Sequence, residues 1–560
     1  MNFTWILLVV IAAIAVTGLA NRRNLQAPLV LVAVGSVASF IPGMPRPELD
    51  PHVILGVVLP PLLYSAALKF SVATFKRNLA AILRLGVGMV LVTAFVVAFF
   101  AEWLVPEFTI GAALVLGAVI APTDAVSAVA VGQKLGLPKR VIAILTGEGL
   151  VNDATALTLF TVAVAAVTGT RIATDSPLLF FAYEVVGGVA IGLVLAFIVK
   201  FVRARMYDSP LETGLGLVLP FAAYLAAEEL HASGVLAVVV AGLVIGHYST
   251  DASIMTRLQE RSVWSSLDTL LEMFVFAYMG LQLSFVIDDV VNDGLPAVNV
   301  ILYGLAVLAV VIVIRPLWLF LSYSRVRFGI TLRRGQRQKQ LTWKQNVVVS
   351  WAGMRGVVTL AAAGGIPFAL SSGEPFPGRG VIQAIAFIVA VGTLLLQGST
   401  LPFLIRRLDV ADPYEQLRTQ EQMELARTIS RQAGEKALAD VVASPPPGVA
   451  GAELQAIIER VRRSMQARLQ VQETDENNDR DTAMWNAGAL FDKFRHQSLR
   501  TQRMALIAAR DDGDLDDEVL RTVLESLDLE EAAAEERVRR RPARAAGRGA
   551  GTARVVAIYK

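Results

Sequence analysis

The sequence predicts an all-α polytopic membrane protein: about thirteen transmembrane helices in two inverted six-helix repeats, with broken spans 5 and 12, followed by a helical polar tail. Three observations predict it. The 560-residue chain is 54% apolar and only 18% charged, with a mean hydropathy of +0.56, whereas soluble domains carry about 25% charge. The charge is also unevenly placed, because residues 411–560 hold 23 of the 51 Lys and Arg and 26 of the 48 Asp and Glu. Finally, the first 410 residues contain thirteen apolar stretches, several of them near the roughly 20 residues that cross a bilayer as a helix. The expected organisation is a transmembrane domain over 1–410, a helical accessory tail over 411–540 and a basic, disordered end over 541–560.

The stretches lie near 2–20, 26–42, 52–68, 79–102, 108–132, 141–168, 178–202, 213–230, 233–249, 265–287, 297–323, 346–368 and 380–405. The first is not an export signal, since no basic residue precedes it and Arg22 and Arg23 follow it. Basic residues then alternate. Loops after odd-numbered spans carry Arg22 and Arg23; Lys69, Lys76 and Arg77; Lys134, Lys139 and Arg140; Lys200, Arg203 and Arg205; Arg257 and Arg261; then a dense run from Arg325 to Lys344. The other loops hold Arg46, Arg171 and Arg379. The bias predicts a cell-membrane protein, the inner membrane if bacterial, with the N-terminus outside and the tail in the cytoplasm. The basic residues punctuate apolar runs and form no stripe that could follow phosphates, so nucleic acid is not an expected partner. Absence of cysteine excludes thiol chemistry, and no nucleotide-binding pattern is present, so no cofactor is expected and an ion gradient is the expected energy source.

With thirteen spans, a six-plus-one-plus-six arrangement sets span 5 opposite span 12. Both are interrupted near their middles, by Ala121-Pro122-Thr123-Asp124 and by Gly353-Met354-Arg355-Gly356. Paired interruptions of this kind point to a midplane site in a secondary transporter. A charge in hydrocarbon costs at least about 2.5–3.5 kcal/mol, so each needs a partner, water or a task. Span 6 carries two: helical spacing puts Glu148 and Asn152 on one side and Gly149 and Asp153 about 100° round. Arg355 is the expected counter-charge of Glu148, as a clamp between spans 6 and 12. Asp153 is then left without a fixed cation, able to hold either a proton or a metal ion. Thr123, Asp124 and Asp153 together offer the oxygen ligands an alkali cation prefers. Arg315, before Pro316 in span 11, either compensates these acids or lines the inner half of its helix. Glu184, Glu228 and Glu272 are expected to pack or snorkel near span ends.

Pro122-Thr123-Asp124, Gly147 to Asp153, Trp351 to Gly356 and Leu59 to Ala67 carry a resemblance to the monovalent cation:proton antiporter family. The branch is that of bacterial NhaP-type sodium/proton antiporters and animal sodium/proton exchangers, and the likeness spans roughly 5–410. It implies a homodimer whose mobile core is built on crossed broken helices. It assigns Asp153 as the ion- and proton-carrying aspartate, Asn152 as the asparagine before it, Thr123 and Asp124 as broken-helix ligands, and Glu148 with Arg355 as a buried ion pair. Asn followed by Asp implies electroneutral one-for-one exchange of Na⁺, with Li⁺ or K⁺ open, against H⁺, in the service of pH and sodium homeostasis. Ser65 and Gly149 stand where some relatives carry an acid and a serine, so both are accessory candidates. A cation channel and an intramembrane aspartyl protease using Asp124 and Asp153 are the rival readings; the latter lacks its usual Gly-x-Gly-Asp and Tyr-Asp contexts.

In the tail, apolar residues recur at helical intervals over Glu415–Val442, Glu453–Val471 and Thr482–Ala509, with Ser444 to Gly448 as a linker. Asp511 to Glu518 lacks the alternation of a calcium loop and reads as an acidic turn capping the next helix. The tail's ligand is not specified by these patterns.

Overall fold

Small residues decide how closely the helices of this chain approach. A Cβ on Gly280 would lie 2.5 Å from the carbonyl oxygen of Val32 and 2.9 Å from the Cα of Gly35. Two helices therefore cross there backbone to backbone, the contact that small side chains allow in membrane bundles. The computed structural model describes residues 3–23, 25–42, 53–169, 176–206, 208–292, 296–327, 341–410, 413–443, 451–467 and 484–546. It separates into two compact units, Met1–Asp412 and Pro413–Lys560.

In the first unit the helices are α1 Phe3–Arg22, α2 Ala27–Ala38, α3 Ile54–Lys69, α4 Val72–Leu104, α5 Ile110–Ile120, α6 Ala125–Lys134, α7 Lys139–Thr168, α8 Pro177–Arg203, α9 Ser209–Glu229 and α10 Gly234–His247. They continue with α11 Ile254–Leu281, α12 Leu283–Asn292, α13 Ala297–Arg327, α14 Trp343–Trp351, α15 Val357–Gly364 and α16 Arg379–Leu408. Among the described residues, nine stretches are long and apolar enough to cross a membrane, with α5–α6 and α11–α12 each counted as one. The apolar helices α2, α3 and α10 are shorter. The twelfth expected span is two short helices, α14 and α15, either side of the non-helical stretch 352–356.

Local chemistry sets the starts. Ser233 and Ser253 accept the N–H of Leu236 at 3.3 Å and of Thr256 at 3.1 Å, while Thr342 and Gln345 form a reciprocal capping box ahead of α14. Turns of π-helix interrupt α4 at Arg84–Met89 and α16 at Leu394–Gly398. Large apolar side chains such as Leu178, Val186, Phe197 and Phe201 of α8 face outward, as lipid contact requires. One inner cluster joins α2, α6, α11, α13 and α14; a second joins α3, α7, α9 and α10; a third joins α4, α5, α13, α15 and α16.

The second unit comprises α17 Pro413–Ala443, α18 Gly451–Ala467, α19 Met484–Asp511 and α20 Asp517–Ala546. Leu499, Leu506, Leu520 and Leu524 form its main core with Ala426, and Ile457, Val461 and Phe494 a smaller one. The acidic turn bends at Gly513, φ +87°, and Asp517 and Glu518 occupy the first turn of α20. The expected disordered end starts too early: helix continues through Ala546, and 547–560, like the linker Ser444 to Gly448 and the loop residues Arg46 and Arg171, lie outside the described residues.

Arg503 bonds Asp528 at 2.8 Å and Glu531 at 2.7 Å, and His496 Nδ1 lies 3.3 Å from Glu531. Burial of Glu531 opposes its ionisation, but these partners more than offset that, holding its carboxyl below the usual value of 4.5. A depressed acid stabilises the fold above its unfolded pKa, so this contribution is complete above about pH 4.5 and disappears as pH falls through the lower folded value. Hydrogen exchange of the full chain should therefore show α19 and α20 loosening below that pH, and Glu531→Gln should remove much of the dependence. At the α2–α11 crossing, Gly280→Ala should cost about 1–3 kcal/mol, read as a lower thermal midpoint in detergent. Gly18→Ala, with nothing within 4 Å, should leave that midpoint in place.

Candidate functional site

Two helix interruptions meet at the centre of the first unit. Pro122 stands in the extended stretch between α5 and α6, where its missing N–H and fixed φ favour a break. Asp124 caps α6, accepting the N–H of Val126 at 2.9 Å and the hydroxyl of Ser127 at 3.3 Å. Its own backbone N–H donates to the carbonyl of Met354 at 2.7 Å, so one interruption is bonded to the other. Gly356 permits this approach, since a Cβ there would fall 2.7 Å from the Cβ of Asp124.

Arg355 serves helix ends. Its Nε donates to the carbonyl of Ile120, the last residue of α5, at 2.9 Å, and Nη1 donates to the carbonyl of Gly353 just past α14. Its backbone N–H donates to Thr393 Oγ1 at 2.9 Å. A guanidinium suits this place because helix C-termini present unsatisfied carbonyls and a partial negative charge.

The expected Glu148–Arg355 pair is therefore corrected. Glu148 is paired with Arg315 of α13, which grips it in a bidentate contact: Nη2 to Oε2 at 2.8 Å, with Nη1 on Oε1. Both side chains are 2% exposed. The fork geometry of arginine fits a carboxylate, whereas Arg355 turns Nε and Nη1 to carbonyls and leaves Nη2 buried without a partner among the described residues. Arg315 Nε also donates to the Val349 carbonyl of α14 at 3.1 Å, and Thr123 Oγ1 donates to Glu148 at 2.9 Å. Asn152 Nδ2 then reaches Thr123 twice, to the carbonyl at 2.7 Å and to Oγ1 at 3.0 Å. Its Oδ1 is buried without a partner among the described residues.

Asp153 differs from the rest. It is 7% exposed, lies within electrostatic reach of Asp124, and has no hydrogen bond or ion pair among the described residues. The structure thus brings Thr123, Asp124, Glu148, Asn152, Asp153, Arg315 and Arg355 together. Gly149 lets α7 press on the start of α6, since a Cβ there would sit 2.7 Å from that of Ala125. Ser65 is engaged elsewhere, donating to Asp268 of α11 at 2.5 Å. Sequence reasoning passes over Asp268, although its spacing of one helical turn from Glu272 in an apolar stretch is a readable signal. No group of three or more metal-ligating acids or histidines occurs among the described residues.

If Arg315 is the partner of Glu148, Arg315→Met should lower stability by about 3–5 kcal/mol by leaving a buried carboxylate unpaired. Glu148→Gln added to it should cost little more. The same double change made with Arg355→Met should lie nearer to additivity, with thermal midpoints in detergent as the measure.

Comparison with known proteins places the chain in a family. The family described as "Sodium/hydrogen exchanger, transmembrane" matches residues 7–407. An uncharacterized Na⁺/H⁺ exchanger of Mycobacterium tuberculosis is 33% identical over 94% of this chain and 95% of its own. A sodium, potassium, lithium and rubidium/H⁺ antiporter of Bacillus subtilis is 31% identical over 72% of this chain and 62% of its own. The sodium proton antiporter MjNhaP1 of Methanocaldococcus jannaschii shares the fold at TM-score 0.58 and 20% identity, over 72% of this chain and 98% of that one. With its helix interruptions meeting beside an unpaired aspartate, and with this match over most of its length, the chain belongs to the sodium/hydrogen exchanger family of multi-pass membrane transporters.

Proposed function

We propose that the protein exchanges one monovalent cation for one proton, electroneutrally, by exposing Asp153 alternately to the two sides of the membrane. The observation that carries this reading is the unpartnered, buried carboxylate of Asp153 amid groups whose charges cancel. Glu148 and Arg315 neutralise one another, and the buried Arg355 offsets Asp124 in the formal charge count without an ion pair to it among the described residues. Among the described residues of this group, Asp153 is the acid with neither a hydrogen bond nor an ion pair, and so the one proposed to change its charge. Carrying a proton or a cation, the site is neutral; empty, it holds one net negative charge whose passage through an apolar barrier is costly. Suppression of the empty crossing couples the two fluxes without any energy source beyond the gradients.

Na⁺ is the proposed cation. Li⁺ and K⁺ belong to the same proposal, because side-chain hydroxyls near the site are few: Thr123 Oγ1 already donates to Glu148, leaving only a lone pair for a cation, and Ser65 donates to Asp268. Water must then complete the cation shell, which weakens discrimination by size; the Bacillus relative's broad range of cations is consistent with that. The proposal includes the homodimer implied by the sequence resemblance, a cytoplasmic tail set by the basic-loop bias, a role in pH and sodium homeostasis, and regulation of the pH response by the tail. Asp124, Thr123 and Asn152 are assigned to the cation shell, with Glu148, Arg315 and Arg355 as its fixed electrostatic frame.

In proteoliposomes with an imposed pH gradient, the native protein should move Na⁺, and Asp153→Asn should reduce that movement to background. Retained exchange in the variant would overturn the assignment. A clamped membrane voltage should leave the equilibrium position unchanged, whereas a voltage-dependent equilibrium would refute one-for-one exchange. Removal of residues after Asp409 should alter the pH profile while sparing transport itself.

A further inference from the structure

Where hydroxyl ligands are few, the spacing of the acids is what remains to tell one alkali cation from another. Gly149 and Asp153 lie one helical turn apart on the same face of α7. Ala125 opens α6 directly after Asp124. A Cβ at Gly149 would fall 2.7 Å from the Cβ of Ala125, a separation that two methyl groups do not adopt. At this point α7 therefore rests on α6, the methyl of Ala125 against bare backbone. Asp124 is the residue next to the contact on one helix, and Asp153 stands one turn from it on the other. The two acids are within electrostatic reach of one another.

Neither side of this contact has room to give. Helical spacing sets Gly147 and Val151 on the face of α7 opposite Gly149, and both press on α4: Gly147 has no space for a Cβ beside Ile82, and a Cβ at Gly86 would lie 3.0 Å from that of Val151. Asp124 is pinned as well. A Cβ at Gly356 would fall 2.7 Å from its own, its N–H is bonded to the Met354 carbonyl at 2.7 Å, and its carboxylate caps α6. Glu148 and Asn152, which precede Gly149 and Asp153, both bond Thr123, which precedes Asp124. From these contacts we infer that Ala125 is a specificity-determining residue: its methyl, seated on Gly149, is the spacer that fixes the gap between Asp124 and Asp153 and thereby the size of alkali cation that fits it best. Selectivity among hard cations follows cavity size, ligand number and flexibility, and a gap with backed walls keeps its size when an ion enters. One methyl more at the contact widens the gap towards K⁺; one fewer lets the helices close towards Li⁺. The inference rests on the exchange reading.

The test measures proton exchange in proteoliposomes against Li⁺, Na⁺ and K⁺ in turn, and reads the ratio of their KM values. Gly149→Ala, with two methyls at the contact, should shift the K⁺ to Na⁺ ratio about tenfold in favour of K⁺, the lower end of what one methyl group does to the fit of a pocket. Ala125→Gly, with none, should move the ratios the other way, towards Li⁺. The exchanged pair Ala125→Gly with Gly149→Ala restores one methyl and should return the ratios to within about twofold of native, a non-additive result expected of residues in contact. If Gly149→Ala does not assemble, the other two variants, which add no methyl in total, carry the test. Ratios that stay at the native value while KM or Vmax changes equally for all three ions would overturn the inference, leaving the contact a packing feature alone. So would an exchanged pair whose ratios lie no nearer to native than those of Ala125→Gly. A native protein that exchanges none of the three ions for H⁺ would instead overturn the exchange reading.

Discussion

A bidentate contact between Arg315 and Glu148 holds the centre of this molecule together. Arg315 comes from α13, Glu148 from α7, and the same guanidinium reaches the Val349 carbonyl at the end of α14. Two consecutive helices, α13 and α14, are thereby fixed to the sequence-distant α7 around two charges that are both buried. Thr123 adds the α5–α6 interruption to the group, and Asn152 clasps Thr123 in turn. Such a pair is a poor source of net stability, because desolvation consumes most of the attraction. What it provides is placement. With Glu148 cancelled and Asn152 occupied through its amide nitrogen, the neighbouring residue on α7 is the one acid of this group left with nothing to hold.

Broken helices supply the second half of the arrangement. Each interruption exposes carbonyls at the end of one helix and N–H groups at the start of the next. Asp124 takes up N–H groups at the start of α6, while Arg355 takes up carbonyls following α5 and α14. The site is thus built from backbone ends and their fixed complements as much as from acidic side chains. Two of the π-helical turns lie close by: Gly86 of the one in α4 packs on Val151 and Asn152, and Thr393, just before the one in α16, receives the N–H of Arg355. Irregular backbone is tolerated here because it is enclosed by protein.

Much of this was legible in the residues. Apolar length located the helices, Pro122 and Gly353 to Gly356 marked both interruptions, and an acid embedded in span 6 drew attention to Asp153. Partnership was not legible. Arg315 and Arg355 are equally improbable in hydrocarbon, and their sequence positions do not say which reaches Glu148; the choice depends on carbonyls freed at helix ends, which exist only once the two interruptions cross. The acid at Asp268 was readable but its partners were not, since they are Ser65 and Lys69 on another helix. The tail's helical periodicity was readable, but a run of Arg and Ala near residue 541 suited helix as well as disorder, and helix extends to Ala546.

The bond from the Asp124 N–H to the Met354 carbonyl joins main chain to main chain. Almost any side-chain replacement at either position therefore preserves the linkage between the crossed segments, proline at 124 being the substitution that removes the donor. Mechanical coupling of the two segments is in this way insulated from mutational drift, leaving evolution at liberty to retune which ion is carried while the machinery that carries it stays intact.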